Sequence, residues 1–446
     1  MYGDRRTRQV RSAVGAGLLN ARVSPIGAFP RVDGVLHAEG VPLGGIAVAV
    51  GTPCYVYSAN SIRARYQQLA HAFADVPHRI HFAVKANSSL AILRLLQELG
   101  AGVDIVSGGE LYRAHEAGYS GADVVFSGVG KTVREIEAAL DAHVQLINIE
   151  SEAELLTVNA VAGRRGVIAP VALRMNPEVT VETPHEYIKT GEKGQKFGIP
   201  RDDIERIGAV ALALPNVALR GLGMHLGSQI SNVDPMREAL PRLLLAIAVM
   251  RSQGHMLHFI DVGGGLAVPY APGDAEADVD GYARLVCEAV KDTGLTLVLE
   301  PGRFIVAESG VLLTEVLYRK QAAGKDFVVI DAAMNDLMRP ALYQAYHDIV
   351  AVNATADTVI ADVVGPVCES GDFFAKHRAL ADVPAGALLA VLTTGAYGYT
   401  MASNYNSRPR PTEVLVDADR FAVITERERY EDLVRLERAH LQWRTA

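Results

Sequence analysis

Cysteine is scarce in this chain of 446 residues: only Cys54, Cys287 and Cys368 occur. An odd, sparse set excludes a disulfide framework and fits a reducing compartment, so a cytoplasmic location is expected. Long apolar runs are missing as well. Nothing approaches the ~20 consecutive apolar residues of a membrane span, so no membrane partner is expected. Blocks of one charge are also absent. The formal net charge of −8 is spread along the chain, which argues against the basic face that nucleic acid favours. The length suits two domains, and a hydrophobic content of 49% allows a large core. The class left standing is a protein that handles small molecules. Near the start, Arg5, Arg6, Arg8 and Arg11 form a small basic cluster. The apolar stretch after them is short and weak for a secretory signal; residues 1 to about 25 read as a disordered extension or a mis-assigned start, with a transit peptide as the alternative.

From about residue 60 to 300, short β-branched runs alternate with longer stretches of helical spacing. The runs are Ile80–Val84, Val103–Val106, Val124–Phe126, Leu146–Ile149, Val171–Met175, Leu219–His225, Leu257–Val262 and Leu297–Glu300. Between them, Thr132 with Glu135 and Ser151 with Glu154 read as capping boxes. Eight strands alternating with helices predict an α/β fold, a (β/α)8 TIM-type barrel over residues 58–303. An open doubly wound sheet is the competing architecture. After about residue 305 the texture changes. Val311–Leu317, Phe327–Ile330, Val359–Val364, Leu388–Leu392, Glu413–Val416 and Phe421–Ile424 follow one another with turns between them. Residues 304–446 therefore read as a second, mainly antiparallel β domain, which residues 26–57 join. A last mixed-charge stretch, Arg427–Arg438, reads as a helix.

In a barrel of this kind, chemistry gathers at the carboxyl ends of the strands. Reading along that rim gives Lys85, Arg174, His225, Ser228, Asp261 with Gly263, Gly264 and Gly265, and then Glu300, Pro301, Gly302 and Arg303. Two glycine turns after the last two strands suit phosphate, because backbone N–H groups approach it without a Cβ in the way. Taken alone, each is merely a tight turn. Lys85 ends an otherwise apolar strand. Partial burial there is expected to lower its pKa and free a nucleophilic amine, which suits a Schiff base. Glu300 has a use beside a pyridine nitrogen, which it would keep protonated. His225 alone would be an ordinary core histidine; it gains meaning from Lys85 and Glu300.

The segments HFAVKANSS, GVDIVSGGEL, GMHLGSQI, DVGGGL and EPGRF resemble the fold type III pyridoxal-phosphate-dependent decarboxylases. MNDLMRPALY, GPVCESGDFF and GAYGYTMASNYNSRPRP narrow the resemblance to the diaminopimelate decarboxylase branch, over roughly residues 30 to 435. It implies a β-sandwich second domain and pyridoxal 5'-phosphate as cofactor. It implies decarboxylation of meso-2,6-diaminopimelate to L-lysine and CO2. Lys85 would carry the cofactor, His225 stack on its ring, and Ser228, Gly264, Gly265 and the turn Glu300, Pro301, Gly302 and Arg303 hold the phosphate and the pyridine edge. Tyr397 would touch cofactor and substrate, and Arg303, Arg339 and Tyr343 would bind substrate. Cys368, as proton donor, and Glu369, for the distal ammonium, would come from the second subunit of a homodimer with shared active sites. A related decarboxylase acting on arginine, ornithine or carboxynorspermidine is the alternative. Arg339, suited to a distal carboxylate, argues against ornithine. A racemase of the same barrel type and a cofactor-free binding homologue are weaker alternatives. The segment His185–Phe197 reads as a mobile loop that covers the site.

Overall fold

The computed structural model describes residues 28–181, 185 and 190–437. The expected N-terminal extension lies outside the described residues.

All eight expected barrel strands form: His78–Ala83, Gly102–Ile105, Val124–Phe126, Leu146–Ile149, Ala169–Asn176, Val217–Gly223, Phe259–Asp261 and Thr296–Leu299. Each pairs in parallel with the next, and Thr296–Leu299 pairs back onto His78–Ala83. The ring is closed, which sets aside the open sheet. Strands such as Val124–Phe126 and Leu146–Ile149 are buried at every residue, because side chains fill the barrel on one face and helices cover the other. The helix Val133–Asp141 starts in the expected reciprocal box between Thr132 and Glu135. At Ser151 only half of the box forms. Its hydroxyl accepts from the Glu154 N–H, but the Glu154 carboxylate turns instead to the Glu150 N–H and the buried Lys131 ammonium.

The second domain is mainly β. Gly310–Ala322 is its spine, pairing antiparallel with Lys325–Ile330, Leu388–Val391 and Cys54–Ser58. Two contacts are parallel, Lys325–Ile330 with Thr358–Val364 and Cys54–Ser58 with Thr412–Asp417. The strands Ile349–Ala351 and Phe373–Ala381 were not foreseen. Within residues 26–57, expected to join the β domain, Leu43–Val50 is a helix rather than a strand. Of the helix expected over Arg427–Arg438, only Tyr430–Leu433 is helical, and residues from 438 on lie outside the described residues.

The two parts meet at the turn that carries Lys85. The Tyr397 N–H donates to the Ala86 carbonyl at 2.8 Å, and the Asn87 amide donates to the Gly395 carbonyl at 3.0 Å. The β domain thus closes one side of the barrel mouth.

Candidate active site

Lys85 sits in the 3-10 turn Val84–Ala86, just past the first barrel strand. Its Nζ lies 2.5 Å from Oδ2 of Asp104, a carboxylate fully buried in the second strand. The other oxygen of Asp104 has no hydrogen-bond partner among the described residues. Burial alone would lower the Lys85 pKa, as expected from the sequence. Here Asp104, the Tyr397 phenol and Glu300 outweigh burial and raise it, which corrects that expectation. The resting amine is an ammonium held by Asp104.

Two more carboxyl groups stand near, Asp261 buried and Glu300 half-buried. Asp261 accepts from the Gly263 N–H at 2.7 Å and is hydrogen-bonded to Glu300. Glu300 also takes weak donations from Asn148 (3.4 Å) and Ser127 (3.5 Å). Burial, then the charges of Asp104 and Asp261, push Glu300 well above the usual carboxylate range. Burial raises Asp261 to about 6. One proton shared within this pair relieves the repulsion, and a cationic group arriving there would relieve it as well.

His225 follows the strand Val217–Gly223, and its Nδ1 accepts from the Gly264 N–H at 3.2 Å. Burial and the nearby Arg174 and Lys85 charges hold its pKa well below the usual range, so the ring is neutral with its proton on Nε2. Gly264 itself is obligatory: a Cβ there would lie 2.1 Å from the Glu300 carbonyl oxygen. Gly265 adopts φ +105°, and a Cβ would meet the Gly227 carbonyl at 2.3 Å. Gly302 packs against Ala86 and Ala83, leaving no room for a side chain.

Arg303 opens the short helix after Gly302. Its guanidinium donates to Ser228 Oγ at 3.0 Å and to the Tyr270 hydroxyl at 2.7 Å, and lies over the Tyr397 ring. Arg339 donates to His347 Nε2 at 2.9 Å and lies 4.4 Å from the centre of the Tyr270 ring. Tyr343 meets the ring of His185 edge-on at 5.6 Å. A cavity of about 350 Å³ is lined by Lys85, His225, Ser228, Gly265, the segment from Glu300 to Phe304, and Tyr397, among others. Gly264 forms part of the wall of a neighbouring cavity of about 340 Å³.

Nine of the expected residues therefore converge on one cavity. Besides Gly264, four do not line it: Arg339 is buried against the Tyr270 ring, Tyr343 is half-buried, and Cys368 and Glu369 are exposed. The Cys368 N–H donates to Asn406, and Glu369 is hydrogen-bonded to Tyr405. Asp104, Tyr270 and His347 were not foreseen. Of the expected covering loop, residues 186–189 lie outside the described residues. The rest is tied down, with the Thr190 hydroxyl donating to the His225 carbonyl and the Asn176 amide to the Glu192 and Phe197 carbonyls.

These features fit pyridoxal 5'-phosphate. A primary amine faces the cavity, a neutral imidazole stands beside it, and a carboxyl pair short of a cation lies near. Two glycines lie at positions where a Cβ would clash, and near them stand a serine hydroxyl and a guanidinium. Among the described residues no group of three or more His, Cys, Asp or Glu could hold a metal ion, and no helix is long and apolar enough to cross a membrane.

Comparison with known proteins agrees with this chemistry. Residues 59–307 match the family described as pyridoxal-dependent decarboxylase, pyridoxal binding domain. The diaminopimelate decarboxylase of Pseudomonas fluorescens is 48% identical over 409 residues, covering 91% of this chain and 97% of that protein. That of Aquifex aeolicus is 42% identical over 403 residues, covering 90% and 95%. Among solved structures, Helicobacter pylori diaminopimelate decarboxylase complexed with L-lysine superposes with a TM-score of 0.86 at 39% identity, covering 89% of this chain and 99% of that one. The chain belongs to the diaminopimelate decarboxylases, pyridoxal-phosphate-dependent enzymes built on a closed β/α barrel with a mainly β second domain.

Proposed function

We propose that this chain removes CO2 from meso-2,6-diaminopimelate to leave L-lysine, using Lys85, His225, Ser228, Gly264, Gly265, Glu300, Pro301, Gly302, Arg303 and Tyr397 to hold the cofactor. The observation that carries this reading is a pair of buried guanidiniums, Arg303 and Arg339, within one site and with no carboxylate partner among the described residues. A buried cation is costly unless paired, so the missing anion belongs to a ligand. An amino acid with a carboxylate at both ends supplies one to react and one to be held. A substrate with only an amine at its far end, such as ornithine, leaves that cation unpaired.

When bound, pyridoxal 5'-phosphate supplies an electron sink for the pair released as the carbon–carboxylate bond breaks. The protein's share is positional and electrostatic. Lys85 presents its amine, and Asp104 takes the ammonium whenever the amine is released. The Glu300 carboxyl, hydrogen-bonded to Asp261, is the group able to share a proton with the ring nitrogen. His225 offers an uncharged face. Arg303, Arg339 and Tyr343 fix the non-reacting end of the substrate. Ser228, Gly264 and Gly265 suit the phosphate through the hydroxyl and unobstructed backbone N–H groups.

Cys368 as proton donor and Glu369 as partner for the distal ammonium belong to this reading as residues lent by a second copy of the chain in a homodimer. Their exposure, away from the cavity of their own chain, supports it. Three cysteines with no disulfide between them support a cytoplasmic location.

The test is an absorbance spectrum of the purified protein with CO2 detection on meso-diaminopimelate, in wild type and Lys85→Ala. A visible cofactor band with CO2 from wild type alone is expected. A band without CO2 from diaminopimelate, but with CO2 from arginine or ornithine, would replace the substrate.

A further inference from the structure

Arg339 and Arg303 are both buried, each with only 7% of its surface exposed, and they repel each other across the site. What holds two like charges there is a chain of uncharged groups. It begins at the Leu392 carbonyl, 2.9 Å from His347 Nδ1. A carbonyl only accepts, so Nδ1 carries the proton. Arg339 Nη1, 2.9 Å from Nε2, only donates, so Nε2 carries none. His347, fully buried, is thereby locked as the neutral Nδ1–H tautomer, with its lone pair aimed at the guanidinium. Burial and then the Arg339 charge keep it from protonating.

Tyr270 continues the chain. Its ring lies edge-on to His347 at 5.2 Å and presents its face to Arg339. Its hydroxyl accepts from Arg303 Nη1. One side chain thus offers electron density to both cations, a π face to one and an oxygen to the other. Neither residue lines the cavity around Lys85 and Glu300, and neither has a place in breaking the bond to the carboxylate.

We propose that His347 and Tyr270 are positioning residues that set Arg339 and Arg303 as a two-guanidinium clamp for the carboxylate retained in the product, and so determine the preference for an amino acid with a carboxylate at each end. The proposal rests on the reading of both arginines as substrate-binding residues.

Calorimetric titration of the cofactor-loaded enzyme with L-lysine and with 1,5-diaminopentane, which differs by lacking that carboxylate, tests it. His347→Leu and Tyr270→Phe are expected to weaken L-lysine binding roughly tenfold or more, the scale for losing a buried hydrogen bond to a charged group. Binding of 1,5-diaminopentane should be unchanged. His347→Gln, which keeps an acceptor near the Nε2 position, should recover most of the loss. In turnover of meso-diaminopimelate the same variants should raise KM with kcat little altered. Equal weakening toward both ligands, or undiminished L-lysine binding in His347→Leu, overturns the proposal. Arg339→Ala separates the two levels. If it too leaves L-lysine binding intact, the substrate role of Arg339 falls. If it abolishes binding while His347→Leu does not, only the positioning role falls.

Discussion

Lys85 Nζ and Asp104 Oδ2 are 2.5 Å apart, and that contact sets the resting state of the site. Among the described residues the second oxygen of Asp104 has no hydrogen-bond partner, so its charge acts mainly on Lys85. In Asp104→Asn the ammonium loses its main stabiliser while burial still acts, and the Lys85 pKa falls. Capture of pyridoxal phosphate by the apoprotein, followed by visible absorbance across pH, should shift to lower pH than in wild type. An unchanged pH profile would mean that the ion pair does not govern the amine.

Glu300→Gln keeps the shape of the carboxyl group but cannot share a proton with a ring nitrogen. Cofactor should still bind, because Lys85 and the glycine turns are untouched. Turnover of meso-diaminopimelate should fall by roughly 10²–10⁴-fold, the usual scale for a positioned proton-sharing group. A loss below tenfold with full cofactor occupancy would remove Glu300 from that role.

Gly264 has no room for a methyl group against the Glu300 carbonyl. Gly264→Ala must displace that backbone, and with it both the His225 contact and the carboxyl pair. Stability should drop by about 1–3 kcal/mol, as for other overpacked sites. Fluorescence titration of the apoprotein should show weaker pyridoxal phosphate binding.

Much of this site was legible because its residues sit where strand ends must be. Alternating β-branched runs located all eight barrel strands, and the rim then delivered Lys85, His225, the glycines, Glu300 and Arg303. Other features escaped for physical reasons. Asp104 lies within GVDIV, where an apolar run hides a side chain pointing into the barrel mouth. Tyr270 and His347 occupy irregular segments, where no periodicity shows which way a side chain faces. The strand Phe373–Ala381 was obscured by Lys376, His377 and Arg378 at its centre; Lys376 and His377 are exposed there. Leu43–Val50 is apolar and β-branched like a strand, yet forms a helix with Leu43 and Ile46 buried.

Glu110 provides a pH test independent of turnover. Burial, and then the Asp104 charge, raise its pKa from 4.5 to about 7, against the donation it receives from the Val106 N–H. Between those values the folded protein binds more protons than the unfolded chain, so stability falls as pH rises from about 4.5 to 7. Glu110→Gln removes this dependence. Urea unfolding of the apoprotein at pH 5 and pH 7 should therefore show wild type losing more stability than the variant over that interval. Parallel losses would mean that Glu110 is solvated like an ordinary surface carboxylate.

Two of the expected site residues are exposed outside the cavity of their own chain. Cys368 and Glu369 are exposed on a turn held by Asn406 and Tyr405, whereas Lys85 lies at the barrel mouth. If they act in catalysis, a second copy must bring them. In a two-fold dimer each copy gives the same patch and receives the same patch. Lys85→Ala and Cys368→Ala should each be inactive or severely impaired alone. Mixed after dissociation and reassociation, half of the dimers carry one variant of each kind. One of the two sites in such a dimer combines an intact Lys85 with an intact Cys368. The mixture should then recover about a quarter of wild-type turnover by that two-fold arithmetic. Recovery would place Cys368 across the interface. With Cys368→Ala inactive alone, absence of recovery in verified mixed dimers would place its role within its own chain. Full activity of Cys368→Ala by itself would end its candidacy as the proton donor.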